Sequence, residues 1–134
     1  MNKKTKLILV LVLTILILII GSTFIINKKQ NIETETLIKN IQVFVYDENE
    51  ILIYDKGKQT EKNVLVDLLK SLDDLNVETE TGPYGEYIIS INSKKQGDNY
   101  YWNYYINGEY ASVGISSHKI KDNDIYSFKL EKFE

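Results

Sequence analysis

From residue 7 to residue 26 the chain reads LILVLVLTILILIIGSTFII, without a charge and without a polar face. As an α-helix this run would be ~30 Å long, the thickness of the hydrocarbon core of a bilayer. A helix apolar on every side needs a larger core than so short a chain can build. The run is therefore expected to be an N-terminal transmembrane helix. A cleaved signal has a shorter apolar region, about 7–15 residues, followed by an A-x-A-like site. Here the run is longer and only Gly21-Ser22-Thr23 offers small residues, so cleavage and secretion stand as the alternative. Lys3, Lys4 and Lys6 precede the run, and Lys28 and Lys29 follow it. That bias puts residues 1–6 in the cytoplasm and the rest of the chain outside. Residues 27–39 are polar and aperiodic, as in a tether that keeps a domain close to the membrane.

Beyond residue 40 the period changes. Ile41, Val43 and Val45 alternate with Gln42, Phe44 and Tyr46, which predicts a strand. Asp47 to Glu50 is a turn cluster, and residues 51–54 are a second strand with a hairpin closing at Asp55-Lys56-Gly57. Val64, Leu65, Leu68, Leu69 and Leu72 form one helical stripe, with Asp67 and Lys70 opposite, Thr60 as the cap and Glu61 in the first turn. Residues 77–80 read as an edge strand guarded by glutamates. Gly82-Pro83 is a turn, residues 84–92 a strand, and residues 93–99 a polar connection. Residues 100–106 are the most aromatic strand, and Asn107-Gly108 is a strong hairpin signal. Residues 111–115 return from that hairpin. After a turn at residues 121–124, residues 125–133 alternate again and close the sheet. The prediction is an α+β domain over residues 40–134, with a single helix packed on a mixed or antiparallel sheet, β-grasp-like, in the order ββαβββ.

Charge sharpens the location. All 19 carboxylates lie after residue 30, against 11 of the 16 lysines, so the outer part carries 11 − 19, a net −8. That excludes nucleic acid as a partner and argues against a domain lying flat on anionic lipid. Without cysteine there is neither a disulfide nor a lipid-modified Cys, so the anchor is the helix itself.

Catalysis has little to work with. There is one His, and Ser116 and His118 on one strand face would stand ~7 Å apart, with no third group to orient them. Asp122 and Asp124 form a D-x-D without an EF-hand loop, better read as a turn than as a metal site. Gly82-x-x-Gly85 contains Pro and no Lys, unlike a phosphate-cradling loop. The chain is expected to be no enzyme, with neither metal nor catalytic cofactor.

What remains is residues 82–114, which hold seven of the ten tyrosines, the only Trp and five of the seven glycines. Strand period places Tyr100, Trp102, Tyr104 and Ile106 on one face, and Tyr101, Asn103 and Tyr105 on the other. The set with Trp102 and Ile106 is expected to pack on the helix stripe. The outward set suits binding, because Tyr offers broad apolar area, a hydroxyl and few torsions.

The run Tyr84-Gly85, Tyr87-Ile88, Ser90-Ile91-Asn92, followed by Tyr101-Trp102, Asn107-Gly108, Gly114 and Asp124, resembles the bacterial extracellular DUF4430 domain. That domain is similar to the C-terminal β-domain of the cobalamin carriers transcobalamin and intrinsic factor. The resemblance covers residues 40–134, and its specific part lies in the last fifty or so residues. In the carriers this domain covers one side of the corrinoid with the Trp-bearing strand and the strand start at the Gly. The matching positions are Trp102, Asn103 and Tyr104, and Tyr84, Gly85 and Tyr87. This assignment makes Trp102 both packed and ligand-facing. The carriers have Gln where Asn103 stands, and they hold cobalamin against a large helical domain with no counterpart in these residues. The resemblance thus implies an extracytoplasmic binding module for cobalamin or another small molecule, an uptake accessory whose second half comes from a transporter or another partner chain. The alternative is a cell-surface protein-interaction or adhesion domain that uses its tyrosine face and has no small-molecule ligand.

Overall fold

The computed structural model describes the backbone of residues 2–33 and 37–133, and the side chains of residues 2–20, 22 and 37–133. Two units result, Met1–Leu37 and Ile38–Glu134.

The first unit is one helix, α1 (Lys3–Glu33). Its large aliphatic side chains between residues 7 and 20 are all exposed. The hydroxyls of Thr14 and Ser22 donate to the carbonyls of Leu11 and Ile19, so their protons are satisfied within the helix. Among the described residues no helix is long and apolar enough to cross a membrane. The charge-free run with described side chains, residues 7–20, measures ~21 Å. The rest of the expected span, Gly21 and residues 23–26, has side chains outside the described residues. The helix continues to Glu33, into the stretch read as a tether, and residues 34–36 lie outside the described residues.

The second unit is α+β and mostly sheet. Its elements are β1 (Lys39–Tyr46), β2 (Leu52–Thr60), α2 (Leu65–Ser71), β3 (Val77–Gly82), β4 (Gly85–Ile91), β5 (Lys94–Lys95), β6 (Tyr100–Ile106), β7 (Glu109–Tyr110) and β8 (Ile125–Lys132). They form two sheets rather than the single sheet expected: a five-stranded one ordered β2-β1-β8-β6-β7 and a three-stranded one ordered β3-β4-β5. The last strand does not close an edge. β8 lies in the middle, parallel to β1 and antiparallel to β6.

Three tight turns set these registers. Asn92-Ser93, Asp98-Asn99 and Asn107-Gly108 each place two consecutive residues at positive φ, the requirement of a type I′ hairpin turn. The β1–β2 hairpin turns at residues 47–50, and Asp55-Lys56-Gly57 lie mid-strand opposite Phe44, Val43 and Gln42. The Asp47 carboxylate accepts from the N–H groups of Asn49 (2.9 Å) and Ile51 (3.0 Å), which fixes the turn there.

The cap of α2 also differs from the expectation. Thr60 ends β2 and its hydroxyl accepts from the Lys62 N–H. Val64 stands at the N-cap without a side-chain bond. The first helical N–H groups are satisfied from elsewhere: Leu65 donates to the His118 carbonyl (3.1 Å) and Val66 to that of Ile115 (3.0 Å). The helix is thereby tied to the segment after β7. Leu65, Val66, Leu68 and Leu69 are buried, together with Val43 and Val45 of β1, Ile91 of β4, and Tyr126 and Phe128 of β8.

Candidate functional site

β6 sorts its side chains as its period requires. Trp102 is buried in the core, with Tyr100, Tyr104 and Ile106 packed against it. Its indole N–H donates to the Lys94 carbonyl at 3.0 Å, which holds the ring beneath β5. Tyr104 stacks on Phe128, with centroids 5.8 Å apart, and its hydroxyl donates to the Val113 carbonyl. Burial pushes the Tyr104 phenol up to about 12.

The outward trio is less open than expected. Glu131 accepts from Asn103 Nδ2 (2.6 Å) and from Tyr105 Oη (2.9 Å). Tyr101 meets Phe133 edge-on, and Lys129 lies over the rings of Tyr46 and Tyr105. These groups satisfy one another.

A groove of about 400 Å³ lies between β4, β6 and the segment after β7. β4 contributes Glu86, Tyr87 and Ile88, β6 contributes Trp102, Asn103 and Tyr104, and residues 110–115 form the third wall. Of the six residues assigned by resemblance, Tyr87, Trp102, Asn103 and Tyr104 therefore share one groove. Tyr84 and Gly85 do not line it. Tyr84 is 95% exposed at the tip of the β3–β4 hairpin.

Gly85 acts on the groove indirectly. Its φ is +102°, and a Cβ there would stand 3.1 Å from Ser116 Oγ. That hydroxyl accepts from the Glu86 N–H at 2.8 Å, which pins β4 to the third wall. Ser116 and His118 are thus occupied separately, since His118 Nε2 lies 2.9 Å from Tyr126 Oη. Tyr87 is placed by Gly82, where a Cβ would come within 3.1 Å of the ring, and by a bond from its hydroxyl to Glu80 (2.9 Å). That bond raises its phenol pKa. Glu86 is held below the usual carboxylate range, first by the Lys70 ammonium at 2.5 Å and then by the Thr79 hydroxyl at 2.7 Å.

The third wall was expected to be a returning strand. Pairing with β6 ends at Tyr110, and one further bond runs from the Ala111 N–H to the Tyr104 carbonyl. Tyr110 and Val113 are functional candidates not singled out in the sequence. The Asn107-Gly108 turn does set Tyr110 opposite Tyr105. Nothing local marks Val113, because its place depends on the distant bonds of Ile115 and His118 to α2.

Asp122 and Asp124 also part company. Asp122 Oδ1 accepts from the Asn40 N–H, while Asp124 is buried. Burial alone would raise the Asp124 carboxyl. Bonds from the Lys121 N–H, Asn107 and Tyr126 outweigh it and leave the group lowered. Among the described residues no group of three or more His, Cys, Asp or Glu side chains could hold a metal ion.

A Ruminococcus gnavus ATCC 29149 protein described as a candidate metal-binding protein is 22% identical, with a TM-score of 0.65 over 72% of this chain and 99% of its own. Haptocorrin in complex with Cbi is 18% identical, with a TM-score of 0.63 over 74% of this chain. The match spans only 26% of the haptocorrin chain. At these identities the likeness is one of fold. No curated protein matches the sequence. The sequence pattern of the domain of unknown function DUF4430 matches residues 63–132, and the chain belongs to the DUF4430 family.

Proposed function

We propose that this chain is a membrane-anchored, extracytoplasmic, non-catalytic binding module, and that the groove between β4, β6 and residues 110–115 takes a flat, partly apolar small molecule of the corrinoid class. One observation carries the reading. Tyr87, Trp102, Asn103 and Tyr104, far apart in sequence, line one cavity of about 400 Å³. Its rim is exposed and apolar, with Tyr87 41%, Tyr110 61% and Val113 44% accessible. The size lies within the range of small-molecule sites, about 300–1,000 Å³. The fold shared with haptocorrin, whose structure holds Cbi, supports a corrinoid. A corrinoid exceeds this volume, so one of its faces would remain for a partner chain, such as a transporter subunit, to cover. The anchor rests on the charge-free run of residues 7–26, and the outer position on the lysines that flank it.

Equilibrium dialysis of cobalamin against the full chain in detergent micelles tests the proposal. Saturable binding with a Kd below about 1 mM is expected, weakened at least about tenfold by Tyr87→Ala, which removes an exposed ring without opening the core. Absence of saturable binding at millimolar cobalamin would sink the reading.

A further inference from the structure

The hydrogen-bond directions around the groove carry more than its shape. Each tyrosine lining it gives its hydroxyl proton to a protein acceptor. Tyr87 donates to Glu80, Tyr104 to the Val113 carbonyl, and Tyr110 to Asn103 Oδ1 at 3.3 Å. A phenol whose proton is committed has only lone pairs left to offer. The Trp102 indole N–H is likewise spent on Lys94. Apart from the second N–H of the Asn103 amide, whose first goes to Glu131, the remaining donors are on the third wall. The N–H groups of residues 112–115 and the Ser112 hydroxyl make no hydrogen bond within the described residues.

We infer that the groove selects ligands whose polar groups are neutral and donate hydrogen bonds, amides or hydroxyls, over those bearing carboxylate or phosphate. An amide gives N–H to the phenol oxygens and accepts from the loop, satisfying both walls. A carboxylate satisfies only the loop and the Asn103 amide. It sets its lone pairs against those of Tyr87 and Tyr110 and adds negative charge to a unit already net negative, where the charge of Glu86 is balanced by Lys70. Unmatched acceptors facing one another in a partly desolvated cleft are costly. This inference rests on the groove being the binding site, but not on the ligand being a corrinoid.

Nicotinamide and nicotinate form a matched, water-soluble pair that differs in this one group. Each is titrated into the full chain in zwitterionic micelles, read by the amide resonances of residues 110–115 and by the single indole N–H resonance of Trp102. Nicotinamide is expected to move these resonances with a Kd at least about fivefold lower than nicotinate. The double variant Tyr87→Phe, Tyr110→Phe keeps both rings and removes two acceptors, and it should bring the preference below about twofold. Equal or tighter binding of nicotinate, an unchanged preference in the double variant, or no shift from either compound at millimolar concentration overturns the inference. Failure of cobalamin together with preference for nicotinamide removes the corrinoid and leaves this claim standing. Cobalamin binding without amide preference removes this claim alone.

Discussion

Ser90 sits fully buried in β4, and among the described residues its Oγ is the buried side-chain polar atom without a hydrogen-bond partner. A buried hydroxyl without a partner costs about 1–3 kcal/mol relative to one that is paired. Ser90→Ala removes that oxygen and opens almost no cavity. It should stabilise the domain by about 1 kcal/mol, a rise in Tm of roughly 4–8 °C for a unit of this size, measured by thermal circular dichroism. A fall in Tm would mean that the hydroxyl has a partner. Single residues were unevenly legible from sequence. The inward side of Trp102 followed from the strand period, because alternation is a local rule. The indirect role of Gly85 did not, because it depends on Ser116, thirty-one positions away in the chain.

At the scale of elements, local rules carried the strands other than the expected return at residues 111–115, the α2 stripe and the Asn107-Gly108 hairpin. They failed where the deciding contact was distant. The cap of α2 was assigned to Thr60, yet the helix begins later because the His118 and Ile115 carbonyls satisfy its first N–H groups. The division into two sheets escaped for the same reason, since pairing between β1 and β8 joins the two ends of the unit. Carboxylates bind these elements together. Asp74, in the turn after α2, takes Lys56 (2.8 Å), Lys58 (3.0 Å) and Tyr54 (3.1 Å) from β2, and those bonds hold its carboxyl below the usual range, Lys56 first. Glu86 and Asp124 are lowered as well. A carboxyl lowered on folding stabilises the native state above its unfolded pKa, and that contribution is lost as pH falls through the folded value. The Tm should be nearly flat between about pH 7 and 5 and drop below about pH 4, where unfolded carboxylates take up protons. Asp74→Asn should make that drop shallower. A Tm that holds steady to about pH 2 contradicts this account of the ties.

For the whole molecule, two proposals meet. The charge-free run predicts that the chain sediments with membranes and resists extraction by alkaline carbonate, with residues 38–134 open to protease from outside the cell. Recovery in the soluble fraction would remove the anchor and favour the cleaved, secreted form. The groove predicts a place of binding as well as an affinity. Its β4 and β6 walls were legible through the resemblance, while its third wall was not: residues 111–115 read as a strand returning from the hairpin, but pairing ends at Tyr110 and the wall is set by the distant bonds from α2 to Ile115 and His118. The most direct measurement is therefore a residue-by-residue nuclear magnetic resonance map of the full chain with and without cobalamin. Shifts concentrated at residues 86–88, 102–104 and 110–115, including the Trp102 indole N–H, are predicted. Shifts centred instead on Tyr46, Tyr105, Lys129 and Glu131, or none at all, would contradict the groove as the site.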